Sequence, residues 1–193
     1  MEVPQGRKKP PLSVSEDEHP RPGTGVDKLA KLPAIVEGGV VTAGNASGIN
    51  DGAAAMVVTT AAKAAELGVT PKLLLVGRAE SGVDPSIMGS GPIPAVEKVL
   101  EKTGMEIGDL DLIELNEAFA SQALYCIREL DLDLDATNVN GSGISLGHPV
   151  GATGAIMTVK IMEEQERQDK EMGLVTMCVG GGQGCATIFQ RLN

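Results

Sequence analysis

The chain has no tryptophan, one tyrosine and two phenylalanines in 193 residues. Its core cannot be built on aromatic rings, and its 25 glycines point instead to backbone packed closely on backbone. Cysteine is scarce as well. Cys126, Cys178 and Cys185 are an odd number without metal-ligand spacing, which argues against a disulfide framework and against a zinc site. A reducing compartment is therefore expected. No run approaches the roughly 18 apolar residues of a membrane span. The opening MEVPQGRKKP has no apolar stretch of a signal peptide, so a cytoplasmic protein is expected. Basic charge is also in deficit, with 16 Lys and Arg against 26 Asp and Glu and a net charge of −10. That balance argues against nucleic acid as the main partner, because phosphate binding needs a basic face. Arg7, Lys8, Lys9 and Arg21 form local clusters that read either as a solvated loop or as a seat for a small anion.

The length allows one substantial domain with a sizeable core. Residues 1–27 are rich in Pro, Gly and charge and read as an extended arm or loop; residues 28–193 read as the domain. Apolar runs predict strands over 53–59, 72–77, 110–115, 174–179 and 186–190. Helices are predicted over 61–67 (stopped by Gly68), 94–103 (with Gly104 beyond), 117–130 and from Pro149 to about Arg167. Strands alternating with helices imply an α/β layered domain with a largely parallel sheet. The last two strands are joined by too few residues for a crossover helix and are expected to be antiparallel neighbours. The last helix is apolar on nearly all sides over its first three turns, as a buried helix is, and turns polar after Lys160, where it is expected to emerge into solvent.

Two short stretches look like one proton-handling site. In Gly147-His148-Pro149, proline fits the first position of a helix, and the positive end of the dipole there disfavours imidazolium. A neutral imidazole can take a proton from a thiol or donate to an oxyanion, although a capping or packing histidine is the plainer alternative. In Cys178-Val179-Gly180-Gly181-Gly182, glycine amides can converge on a ligand oxygen and lower the pKa of the thiol; the alternative is a buried strand cysteine before a hairpin. Cys126 and Cys185 read as packing residues. Asn116 stands at the carboxyl end of a strand, where open α/β sheets place ligands, and either caps the next helix or holds a substrate oxygen or a water. Gly141-Ser142-Gly143 has the wrong spacing for a dinucleotide loop. Ser47 lies in a polar turn and serves either that turn or an amide-bearing ligand arm.

In order along the chain, VTAGNASGINDGAA, GSGPIPA, NEAFA, NVNGSGISLGHPVGATGA and CVGGGQGCA resemble the thiolase family, from about residue 16 to the end. The resemblance is to the C-terminal half of such an enzyme, the half without the acyl-carrying cysteine. It implies a layered mixed five-stranded sheet with helices on both faces and a buried central helix. It also implies acyl transfer between coenzyme A thioesters, by Claisen condensation of acetyl-CoA or thiolytic cleavage of 3-ketoacyl-CoA. His148 then matches the histidine that activates the nucleophilic cysteine, and Cys178 the acid/base cysteine. Asn116 matches the asparagine that holds a water, and Gly180 the donor to an oxyanion hole. Ser47, Met88 and Phe119 match residues around the pantetheine arm, and Arg21 one near the nucleotide end. No cofactor or metal is implied. The partners are acyl-CoA, free coenzyme A, a thiolase N-terminal half and other copies in an oligomer; membrane and nucleic acid are not among them. The isolated chain is expected to be inactive, and the other reading is a non-catalytic acyl-CoA-binding or scaffolding half-domain.

Overall fold

The computed structural model describes residues 1–192 and divides into two compact units. The first, Met1–Leu32, is exposed throughout. It holds a two-stranded antiparallel pair, β1 (Glu2–Val3) with β2 (Leu12–Ser13), and a single helical turn, α1 (Val26–Leu29). Its few large apolar side chains, among them Leu12 and Val26, are exposed with the rest.

The second unit, from Pro33 onward, carries the core. Its elements run α2 (Ala61–Leu67), β3 (Leu73–Gly82), a 3-10 segment (Pro85–Ser90), α3 (Pro92–Thr103), a 3-10 turn (Ile107–Asp109), β4 (Leu112–Leu115) and α4 (Ala120–Glu129). A single turn, α5 (Gly143–Leu146), then leads to α6 (Thr153–Gln168), β5 (Met172–Val179) and β6 (Gln183–Arg191). Helix ends follow the local chemistry. The Thr60 hydroxyl accepts from Lys63 N at 3.2 Å to start α2, and Gly68 and Gly104 stop α2 and α3 in the left-handed conformation.

The sheet has four strands in the order β3-β6-β5-β4, not five. β5 and β6 are antiparallel neighbours, as their short connection requires, and β6 is antiparallel to β3. Only β4 and β5 are parallel, so the sheet is mixed rather than largely parallel. The expected strand over 53–59 does not form. Val57 and Val58 are 94% and 81% exposed, and an apolar segment gains nothing from strand geometry without a neighbour to complete its hydrogen bonds. Beyond β4 the chain makes one parallel bridge, Ile113 to Thr137, before Asn138 turns left-handed (φ 53°). The Asn138 side chain then replaces the next ladder pair: its Oδ1 accepts from Leu115 N and its Nδ2 donates to Leu115 O, both at 2.8 Å.

Strand alternation builds two faces. Ile113, Leu115, Leu174, Ala186 and Ile188 pack with α3 and α4; Leu112 and Val175 pack on the other face with Met157 and Ile161 of α6. Helices therefore cover both faces. α6 is not buried on every side: Thr153, Met157, Ile161, Glu164 and Gln165 form its fully buried stripe, and most of the residues around them are half-buried. That stripe continues past Lys160, so the polar half does not simply leave the protein. Glu164 stays inside because Arg167, Gln168 and Asn140 all donate to its carboxylate, and these donors hold its pKa down at about 2.

The start of α3 lies against β6 with no room for a side chain. A Cβ on Gly184 would overlap the Gly91 carbonyl, and one on Gly91 would overlap the Gln183 carbonyl. Gly184→Ala is expected to lower stability by about 1–3 kcal/mol, as overpacking does. Gly108→Ala, where nothing lies within 4 Å, should stay within about 0.5 kcal/mol. Urea midpoints of the two variants check this.

Candidate active site

Asn116 follows β4 and is fully buried. Its backbone N–H donates to Thr176 O of β5 at 3.0 Å, which fixes the end of the parallel pair. Leu115, just before it, is held from both sides: its carbonyl accepts from Asn138 Nδ2 and from Ser142 Oγ at 2.9 Å. The Asn116 side-chain amide, by contrast, has no partner on either atom among the described residues. It lines a cavity of about 20 Å³ together with Ser142, Gly147, Thr153, Met157 and Lys160. Its walls are largely apolar, with Leu146, Pro149, Ile156 and Met157 beside the Asn116 amide, and its volume is about that of one water. Gly143 has to be glycine here, since a Cβ would lie 2.7 Å from Glu117 O and 2.9 Å from Asn116 Oδ1. Under the cavity, Lys160 Nζ donates to Glu114 Oε2 (2.7 Å) and to Gly141 O (2.5 Å). Burial pushes the Glu114 carboxyl up, and the Lys160 ammonium opposes that rise.

One short segment, residues 45–50, ties the loops together. Ala120 N donates to Asn45 O (2.8 Å) and Ser47 N to Ala118 O (2.9 Å), while Ala46 bridges Phe119. This holds residues 117–119 out of the helix, so α4 begins at Ala120 rather than at Glu117 as expected, with Phe119 extended at its cap. The same segment then reaches the histidine: His148 N donates to Gly48 O at 3.2 Å, and Ile49 bridges His148. Asn116, Phe119, Ser47 and His148 are thus joined through continuous backbone contacts. Ser47 and Phe119 are half-buried.

The His148 ring is half-buried, and its Nδ1 lies 2.7 Å from Thr153 Oγ1. Pro149 is not the first helical residue. Residues 149–152 form a turn, with Gly151 at φ 94°, and α6 starts at Thr153. The helix end is therefore farther from the ring than expected. The imidazole pKa is lowered all the same, and the cause is burial.

Cys178 ends β5 and is buried. The pleat turns it to the α3–α4 face, the side of Leu174, whereas Asn116 and the start of α6 belong to the other face. Both residues stand at one edge of the sheet, the carboxyl ends of the parallel strands β4 and β5. The thiol pKa is raised rather than lowered, because burial outweighs the backbone hydrogen bond that opposes it. Gly180 opens the turn to β6 and is exposed, and a Cβ there would meet nothing within 4 Å; Gly181 and Gly182 take positive φ. Met88 is half-buried in the 3-10 segment Pro85–Ser90. Arg21 is exposed in the first unit, where its carbonyl accepts from Thr24. Cys126 is fully buried, with a thiol pushed up to about 11. Among the described residues no cluster of His, Cys, Asp and Glu could hold a metal ion, and no helix is long and apolar enough to cross a membrane.

Thr153, Asn138 and the Asn45–Asn50 backbone escape a reading of the sequence. Asn138 carries a usable signal, since Asn before Gly-rich sequence tolerates left-handed geometry. Thr153 carries none, because its value depends on the turn that precedes α6.

A histidine whose folded pKa lies below its unfolded 6.5 binds fewer protons when folded. Its contribution to stability is complete above pH 6.5 and is lost as pH falls through the folded value. Chemical denaturation from pH 7.5 to 5 is expected to show a loss of stability on acidification that is smaller in His148→Gln; equal slopes in the two proteins would contradict it.

Comparison with known proteins agrees with this architecture. The family model "Thiolase, C-terminal domain" matches residues 69–191, and "Thiolase, N-terminal domain" matches residues 1–62. The resemblance is therefore not confined to the C-terminal half: the opening third matches the other domain. An acetyl-CoA acetyltransferase of Thiocystis violacea is 52% identical over 193 residues, all of this chain and 49% of its own length. The crystal structure of the Bacillus anthracis acetyl-CoA acetyltransferase superposes with a TM-score of 0.89 at 49% identity, over 98% of this chain and 48% of that one. Human mitochondrial 3-ketoacyl-CoA thiolase in complex with CoA gives 0.83 at 41% identity, over 95% and 46%. The chain spans about half the length of these relatives. With the ordered motifs, the layered α/β fold and both domain models in agreement, the chain belongs to the thiolase family.

Proposed function

We propose that this chain supplies the proton-handling part of a thiolase active site, transferring acyl groups between coenzyme A thioesters. The nucleophilic cysteine comes from the remaining part of the enzyme. The observation that carries the reading is the pairing of a neutral, half-buried imidazole with a fully buried, unpartnered Asn116 amide, tied together through residues 45–50. None of the three cysteines offers itself as the acyl carrier: each thiol is raised by burial, and a thiol in that state is a poor nucleophile at neutral pH.

In thiolytic cleavage His148 Nε2 takes the proton of the incoming cysteine thiol. The thiolate attacks the 3-keto carbon, and the bond between C2 and C3 breaks. The electron pair goes to C2, which is protonated by Cys178 and leaves as acetyl-CoA. Free coenzyme A gives its thiol proton to the Cys178 thiolate and takes the acyl group, and His148 returns its proton to the cysteine thiolate that leaves. A proton held by Cys178 suits this step, and its raised pKa keeps it protonated. Asn116 with one water, and the Gly180 amide, stabilise the oxyanions. The family resemblance assigns Ser47, Met88 and Phe119 to the pantetheine arm. Coenzyme A thioesters are the substrates, with no further cofactor.

Mixing the chain with a thiolase N-terminal half that carries the nucleophile tests this. Assembly is expected to bring acetoacetyl-CoA cleavage by free coenzyme A, and His148→Ala or Cys178→Ser should each lower kcat by about 10²-fold or more. Assembly without turnover, together with coenzyme A binding by the chain alone, would instead show a non-catalytic acyl-CoA-binding module.

A further inference from the structure

We infer that Thr153 is the positioning residue of His148, fixing the imidazole as the tautomer with its proton on Nδ1. The hydroxyl of Thr153 stands between two groups. It lies 2.7 Å from His148 Nδ1, and it donates to the carbonyl of Pro149, four residues back, at 3.1 Å. A hydroxyl has one proton and two lone pairs. Back-bonding to the fourth carbonyl before it is the habitual position of a helical threonine hydroxyl. With the proton committed there, the oxygen can only accept from the ring, so Nδ1 is the donor and Nε2 keeps its lone pair.

The surroundings hold this arrangement in place. Thr153 is buried at the first turn of α6, and a β-branched side chain in a helix has few rotamers to choose from. The backbone of His148 is anchored from the other side by Gly48 O and Asn50 Oδ1. The preceding Gly147 has φ 96°, and a Cβ there would come 2.7 Å from Asn50 Cγ. Both the ring's pivot and its partner are therefore fixed. Among the described residues Thr153 Oγ1 is the one hydrogen-bond partner of the ring. A neutral imidazole so held presents Nε2 as an acceptor, the form a general base needs. That His148 acts as a base rests on the acyl-transfer reading; the tautomer does not.

Long-range ¹H–¹⁵N correlation of the chain at pH 7.5 reads the tautomer directly, and with His19 the only other histidine the ring is readily assigned. Nδ1 of His148 is expected in the protonated range and Nε2 in the unprotonated range. Thr153→Ser should keep that pattern. Thr153→Val, which keeps the shape and removes the hydroxyl, should shift the ring towards the Nε2–H form. An Nε2–H ring in the unaltered chain would overturn the inference, with no variant needed. So would an unchanged pattern in folded Thr153→Val. Neither result depends on whether the assembled enzyme turns over.

Discussion

The end of β4 is the point on which the site depends. Four hydrogen bonds hold Leu115 and Asn116: one donated to and one accepted from the Asn138 side chain, one accepted from Ser142 and one donated to Thr176. The first three pin the strand where its neighbour on that side has already turned away, and the fourth locks it to β5. With the backbone satisfied, the Asn116 side chain lines a small cavity whose other walls are largely apolar. An unpaired buried amide costs about 1–3 kcal/mol, and so many backbone anchors at one strand end are what keep it there.

A second constraint comes from residues 45–50, which fix both the loop after Asn116 and the backbone of His148. The functional groups therefore sit on a strand end and on a turn before a helix, each held by the same piece of chain. This explains why α4 starts late, since residues 117–119 are given up to contacts with that segment; α6 starts late because residues 149–152 form a turn with Gly151 at φ 94°. Electrostatics at the site are dominated by burial. It lowers the imidazole pKa and raises those of all three thiols, which favours the neutral form of each.

Much of this could be read from the residues alone. The two helices ended by Gly68 and Gly104 and the antiparallel pair β5–β6 follow local rules of capping and connection length. What local rules could not supply was the partner of each segment. Residues 53–59 have strand composition but no strand beside them. Cys178 stands just before three glycines that suggest a lowered pKa, yet the pleat buries its thiol and burial raises that pKa. Asn138 and Thr153 act through contacts that exist only once the loops have folded back on the sheet.

The claim at the centre of the account is that the anchored end of β4 aims the Asn116 amide at a single water. Water–protein rotating-frame Overhauser spectroscopy on the chain measures this most directly. A cross-peak between water and the Asn116 side-chain amide is expected in the native chain and should disappear in Asn138→Ala, where the strand end is released. Absence of the cross-peak in the native chain, or its persistence unchanged in Asn138→Ala, would contradict the account.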